Sequence, residues 1–369
     1  MNIITRNFYK LLRAGAFGEE EQIEPMSAWK WRRVYQYSLM HGVQVLAYEG
    51  IKRCSDQFFM QLPGDLSDIW EKNVLESNQQ YNDKKAVIAE LYQIFSQQQL
   101  RPILIRGGQL AQFYEQPDMR TFQNIEFFFP YPTQGAKADK WIRDNTPSAA
   151  EEDATTFAYE WKGISIEHHH RLHVLTNKLL NHKLQNIIEK EIRESEPTHV
   201  LLNGLHIETI SPTLTLLVTL LRISHYLLNN GISLKQLADL GVFLRNAGDK
   251  VDFVKLQTWI DQLYMKKIAQ LSGALLVELF HFTYEEIPFM TAEKEQDTSE
   301  VLQDMFKLQS SHQSEWYFQQ GKDIFVHASN SSAMMWHIRH SSKYSSYYPA
   351  EGFTNFFASF AHSLTHIEE

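Results

Sequence analysis

Ile105-Arg106-Gly107-Gly108, followed after a helical segment by Arg120-Thr121-Phe122-Gln123-Asn124-Ile125-Glu126, is the stretch whose reading decides the fold. The apolar run Ile103-Leu104-Ile105 ends at paired glycines, which predicts a first core strand turning into a helix that runs to about Glu115. Backbone amides that open a helix can accept an anion, and glycine leaves them bare. Asn124 and Glu126 then stand two positions apart. On a strand such positions share one face, so both side chains aim at one place. Two carboxylates so placed can hold a pair of divalent ions roughly 3.5–4 Å apart, which stabilises both the attacking and the leaving oxygen of an in-line displacement. One of the two is an amide here, offering a neutral carbonyl oxygen and no charge.

Arg106-Gly107, Leu110-Ala111, Tyr114, Pro117 and Arg120 extend the pattern. In this order and spacing, residues 103–129 resemble an uncharacterised nucleotidyltransferase family of bacterial proteins related to the polymerase-beta-like superfamily. That family reads roughly Lys-Gly, a short helix, Tyr-x-x-Pro, Arg, then Asp-x-Asp, so Asn124 and Glu126 stand where it has aspartates. Gly163-Ile164-Ser165-Ile166-Glu167-His168-His169 is similar to a later strand of the family, where Glu167 would supply the third carboxylate. The segment from His225 through Gly231 to Leu237, Asp239 and Leu240 is similar to its C-terminal helical signature. Together these cover roughly residues 30–285.

The resemblance implies an α+β fold: a nucleotidyltransferase-like core with a small mixed β-sheet, flanked by N-terminal and C-terminal helical regions. It places catalytic and metal-ligating positions at Asn124, Glu126 and Glu167, with magnesium as the ion if the site is active. It places nucleotide or phosphate contacts at Arg106, Gly107, Gly108, Arg120 and His169. Arg106 stands for the family's lysine, preserving charge while changing reach. Arg120 either orients a triphosphate or braces the acidic strand, and Asp239 caps or pairs with a buried partner such as His225.

Two functional readings follow. In one, the protein is a degenerate nucleotidyltransferase that binds a nucleotide or other phosphorylated ligand, with weak or no transfer. In the other it is an active magnesium-dependent enzyme moving a nucleoside monophosphate from an NTP to an unknown small-molecule, glycan or protein acceptor. The altered carboxylates favour the first, since losing a positioned electrostatic contact commonly costs on the order of a hundredfold in rate.

Apolar residues at helical spacing over Ala28 to Ile51 and Leu66 to Gln99 predict that the first hundred residues are helical. The core, 101–212, then alternates. A second strand ends before Pro130 and Pro132, a helix spans Ala136 to Asn145, and strands lie near Thr155 to Trp161 and Ile164 to His169. After a helix over Leu175 to Glu194, Asn203-Gly204 predicts a hairpin turn within Val200 to Ile210. From 213 to 290, Leu214 to Asn229, Leu234 to Asn246, Phe253 to Tyr264 and Lys267 to Phe280 read as helices. Beyond Pro288, Thr291 to Glu300 reads as an exposed loop. The tail, 291–369, is rich in aromatics: Trp316, Phe318, Phe325, Trp336, Tyr344, Tyr347, Tyr348, Phe353, Phe356, Phe357 and Phe360. They are expected to pack on the body, with a lipid or glycan surface as the alternative.

Composition sets wider bounds. The chain has 369 residues, 43% hydrophobic and 13% aromatic, enough for a sizeable core. A net charge of -9 argues against broad nucleic-acid binding. The single cysteine, Cys54, excludes an intrachain disulfide and a cysteine-based zinc cluster. Met1 to Phe17 lacks a continuous apolar run, so a secretory leader is not expected and a cytoplasmic location is. Leu214 to Leu228 is too short for a membrane span and contains Arg222 and His225, so it reads as a buried helix. His168, His169, His170 and His173 invite a zinc site, but neighbours on a strand face opposite ways and cannot all grip one ion. His169 should share a face with Glu167 and contact it or the phosphate pocket.

Overall fold

A computed structural model of the chain describes residues 2–146, 151–152, 155–290, 296–306, 339–355 and 357. It divides into two compact units, Met1–Leu172 with Glu196–Ser211 and Gly241–Ala247, and His173–Ser195 with Pro212–Leu240 and Gly248–Glu369.

The first unit opens with helices α1 (Ile3–Phe17), α2 (Ala28–Met40), α3 (Gln44–Arg53) and α4 (Gly64–Gln97). The apolar spacing over Ala28 to Ile51 therefore belongs to two helices. The break falls at Gly42, whose φ of 65° is left-handed, and the Val43 amide bonds back to the Ser38 carbonyl at 2.8 Å. Such a backbone turn is cheap for glycine and stops the first helix.

Next come β1 (Ile103–Leu104), α5 (Arg106–Ala111), β2 (Ile125–Phe128), α6 (Pro132–Asn145), β3 (Glu151–Glu152), β4 (Thr156–Trp161) and β5 (Ile164–His169). The unit closes its sheet with the hairpin β6 (Thr198–Leu202) and β7 (Leu205–Thr209). Helix α5 ends four residues before the expected Glu115. Pro132, expected to stop a strand, also opens α6 at its first turn, where a missing N–H costs nothing. The hairpin turns at Asn203 and Gly204, with φ of 49° and 76°, as an Asn-Gly pair favours.

Among the described residues the sheet has seven strands in the order β3-β4-β5-β2-β1-β7-β6. The pairs β2/β5 and β1/β7 are parallel and the others antiparallel, so the sheet is mixed. One face is apolar. Ile125, Phe127 and Ile166 join Phe157, Tyr159 and Ile207 in a core with Ile88, Leu91 and Phe95 of α4 and Ala138 and Ile142 of α6. Phe95 meets Phe127, Phe129, Trp141 and His168 edge-on, with ring centres 5.3–6.2 Å apart. Each such pair is worth about 0.5–1.5 kcal/mol beyond its burial. The alternate positions, Glu126, Glu167 and His169, take the opposite face.

His168 consequently points into the core, where it is fully buried. Its Nδ1 lies 2.7 Å from Asp139 Oδ1 on α6, and its Nε2 lies 2.9 Å from the Tyr159 hydroxyl. His170 Nε2 reaches the other Asp139 oxygen at 3.2 Å. We assign Nδ1–H as the donor to the carboxylate and the tyrosine as the donor to Nε2, which satisfies all three groups.

The second unit holds α7 (Lys178–Glu194), α8 (Pro212–Asn229), α10 (Phe253–Gln262), α11 (Lys266–Phe280) and α12 (Ser299–Met305). Helix α9 (Leu234–Ala247) contributes its residues through Leu240 here and Gly241 onward to the first unit. Leu214, Leu216, Leu217, Leu220 and Leu221 are all buried, so α8 is a core helix, apolar around most of its circumference. No helix among the described residues is long and apolar enough to cross a membrane. Residues 291–295 of the expected loop lie outside the described residues, and α12 begins within its far end. Of the tail aromatics, Tyr344 and Tyr348 are buried, donating to Asp304 Oδ2 at 2.6 Å and to the Leu263 carbonyl at 2.9 Å. Phe353 and Phe357 are exposed. Trp316, Phe318, Phe325, Trp336, Phe356 and Phe360 lie outside the described residues.

The buried His168–Asp139 contact makes stability depend on acid. Burial lowers the His168 pKa below its ordinary 6.5, and its bond to Asp139 only partly restores it. Burial alone would raise the Asp139 pKa, but the hydrogen bonds from His168 and His170 win and hold it below 3.8. Both groups bind protons more readily unfolded than folded, so both contributions are present above the unfolded values and lost as pH falls. Urea midpoints of the wild type should decline from pH 6.5 downward and steepen below 4. His168→Gln should flatten the decline that sets in below 6.5 relative to wild type.

Candidate active site

The sheet brings five of the sequence-selected side chains together. Because β2 and β5 are parallel with Glu126 opposite Glu167, both carboxylates emerge on one face at one level. His169 follows two positions after Glu167 and shares that face. Its Nε2 lies 3.0 Å from Glu167 Oε2 and 3.1 Å from Glu126 Oε2. Between two carboxylate oxygens that nitrogen carries the proton. The Thr156 hydroxyl, 3.4 Å from Nδ1, is then its donor on the far side of the ring.

Arg106 reaches the same place from the end of β1. Its Nη1 donates to Glu126 Oε2 and also lies 3.1 Å from His169 Nε2. Its Nη2 donates to the Leu172 carbonyl at 3.1 Å, while Nε is buried with no hydrogen-bond partner among the described residues. The backbone of Arg106 is left-handed, with φ of 53°. A non-glycine residue pays about 1 kcal/mol or more for that conformation, and such strain clusters at functional sites. Asn124, in the loop before β2, donates its amide NH₂ to Glu167 Oε1. It thus turns a donor, not its carbonyl oxygen, to the carboxylate.

The carboxylates are therefore compensated from within the chain. The side chains of Arg106, Glu126, His169 and Glu167 are only 7–23% exposed, so these contacts are shielded from bulk water and its screening. Among the described residues, Glu126, Glu167 and His169 each offer one ligand atom, all within 4.8 Å of one another, and could converge on one cation. The Arg106 guanidinium already contacts two of the three.

Arg120 does not join this group. It is buried, and its Nη1 donates to the Gly107 carbonyl at 3.0 Å, holding the glycine turn from behind. Gly107 and Gly108 are also buried. A Cβ on Gly107 would lie 2.7 Å from Phe122 Cβ, and one on Gly108 would lie 3.1–3.3 Å from the tips of Leu104 and Ile88. Close packing thus explains Gly107 directly. In the second unit, Asp239 is buried on α9, and the His225 ring on α8 lies 6.4 Å from that of His173.

Lys84 of α4 was not singled out by sequence. Its ammonium donates to the Phe122 carbonyl and sits 5.2 Å from the centre of the Phe122 ring. The signal was its place in the apolar stripe, three residues after Tyr81 and four before Ile88, both buried.

A mixed sheet that sets acidic residues of adjacent strands beside a Gly-Gly helix start defines a nucleotidyltransferase-like protein. Residues 27–281 match the family described as "Uncharacterised nucleotidyltransferase", and the chain belongs to that family. Among solved structures, an antigenic nucleotidyltransferase-like protein from Paracoccidioides brasiliensis aligns at 14% identity and a TM-score of 0.33, over 54% of this chain and 96% of its own. No curated protein matches.

The two glycines should respond differently to a methyl group. Gly107→Ala forces Phe122, and with it the loop to Asn124, to move, and should cost about 1–3 kcal/mol. Gly108→Ala meets only flexible side-chain tips and gains up to about 1 kcal/mol of helix propensity, so it should be near neutral. Urea unfolding of both variants checks the contrast.

Proposed function

We propose that the protein is a degenerate nucleotidyltransferase that binds a nucleotide or another phosphorylated ligand and transfers weakly or not at all. The observation that carries this reading is the Arg106 guanidinium lodged against Glu126 and His169. Transfer chemistry needs mobile divalent charge bridging the carboxylates and the phosphates. Here one internal cation compensates Glu126, the His169 N–H serves both carboxylates, and the Asn124 amide occupies an oxygen of Glu167. An ion pair would have to displace all of these while lacking the charge of one carboxylate. The residues do not fit a magnesium pair in this arrangement.

Phosphate recognition is compatible with the same residues. Arg106 offers a planar fork of N–H donors suited to a phosphate edge, and a ligand could exchange with Glu126 or the Leu172 carbonyl for them. His169 supplies a further N–H at the same spot. The second reading, an active magnesium-dependent enzyme, keeps one supporting observation: the three potential ligand atoms within 4.8 Å.

Calorimetry with MgATP, MgCTP, MgGTP and MgUTP, paired with a labelled-NTP transfer assay, separates the two. The expected result is binding of at least one nucleotide with no transfer above background, unchanged by Glu126→Ala. Turnover that Glu126→Ala abolishes overturns the degenerate reading, and absence of any nucleotide binding overturns the active-enzyme reading and the nucleotide form of the degenerate one. Arg106→Ala removes the internal cation, so Mn²⁺ affinity should rise by about tenfold or more over wild type, measured by titration without nucleotide.

A further inference from the structure

His169 stands at a junction that its own neighbours do not satisfy. Its side chain is 7% exposed, and three groups surround its Nε2: Glu167 Oε2 at 3.0 Å, Glu126 Oε2 at 3.1 Å and Arg106 Nη1 at 3.1 Å. Both carboxylate oxygens need a donor there, while an arginine nitrogen can only donate. With the proton on Nε2, an N–H faces the Arg106 N–H; with the proton on Nδ1, a lone pair faces two anions. Neither tautomer suits all three neighbours. Arg106 Nε adds a buried donor with no partner among the described residues. A buried mismatch of this kind costs free energy that a better-matched occupant recovers.

With Nη1 moved aside, three acceptors remain: two carboxylate oxygens and one imidazole nitrogen, all within 4.8 Å of one another. One divalent ion matches all three at once. Bonds of about 2.1 Å set neighbouring ligand atoms roughly 3.0–3.4 Å apart in octahedral or tetrahedral geometry. The separations of 3.0 and 3.1 Å at His169 therefore need little adjustment. Other groups already orient the donors. The Asn124 amide holds Glu167 Oε1, which leaves Oε2 turned to the junction. Thr156 Oγ1 lies 3.4 Å from His169 Nδ1, where it can accept the N–H that a metal-bound imidazole carries on its far nitrogen. An imidazole ligand favours a transition ion over magnesium, which takes oxygen ligands.

We propose that Glu126, Glu167 and His169 form a site for a single divalent transition ion, zinc or manganese, with Arg106 as its built-in competitor and Asn124 as a positioning residue behind Glu167. The ion differs from a magnesium pair in number and in its nitrogen ligand. The inference shares with the degenerate reading the Arg106 contacts at Glu126 and His169, and it requires no nucleotide.

Titration of the full chain with Mn²⁺ and with Mg²⁺, both without nucleotide, tests it, together with pulsed electron paramagnetic resonance of the Mn²⁺ form, which reads the nitrogen coupling of a bound imidazole. The expected result is one Mn²⁺ at this site, bound about tenfold or more tightly than Mg²⁺, with a nitrogen coupling that His169→Gln removes. Glu167→Gln, which keeps the shape of the side chain and removes its charge, should weaken Mn²⁺ by about tenfold or more. The chain has 16 histidines, so these two variants separate this site from any other. Because a variant could perturb folding, the wild-type spectrum is a second measurement. Bound Mn²⁺ without nitrogen coupling, a coupling that survives in His169→Gln, equal affinity in a folded Glu167→Gln, or no Mn²⁺ bound by a folded Arg106→Ala overturns the site. Each of these outcomes leaves the phosphate-ligand reading standing, since that reading falls only with the nucleotide and phosphate titrations.

Discussion

Glu126 and Glu167 face each other across the parallel pair β2 and β5, and the rest of the site depends on that register. Neighbouring strands lie about 4.8 Å apart, so two carboxylates on one face at one level repel unless positive charge or donors stand between them. An active transferase meets this demand with metal ions. This chain meets it with its own groups: the Arg106 guanidinium at Glu126, the His169 N–H shared by both carboxylates, and the Asn124 amide at Glu167. The same electrostatic need that would attract cations is thereby reduced, which links the sequence change at 124 to the proposed loss of catalysis.

The scaffold around these groups serves their placement. The left-handed backbone at Arg106 turns its side chain back over β2, and Gly107 lets Phe122 press against the turn that follows. Arg120 holds the Gly107 carbonyl from the buried side, and Lys84 holds the Phe122 carbonyl from α4. Beneath the sheet, the His168–Asp139 bond ties β5 to α6, so adjacent histidines on one strand brace opposite faces.

Much of this was legible in the residues. The Asn203-Gly204 hairpin, the strand ending at His169 and the long helix through Phe95 follow local rules of turn chemistry and periodicity. The opposition of His168 and His169 follows from strand alternation alone. The split of 28–51 into two helices was less legible, because apolar spacing continues across Gly42 and only the backbone there breaks it. The two-residue β3 left no pattern to read, and Lys84 was hidden by the stripe it interrupts.

By itself the sequence determined the family and most of the element order, and it named the residues that the sheet gathers at the candidate site, because these are written in spacing over short distances along the chain. Only the tertiary structure decided what the site residues do to one another. Arg106, Asn124, Glu167 and His169 are separated by up to 63 residues, and whether an arginine points at a ligand or at Glu126 is set by the register of β2 on β5 and the turn after β1. Through-space charge pairing has no period in the sequence, so it becomes readable only when the strands are paired.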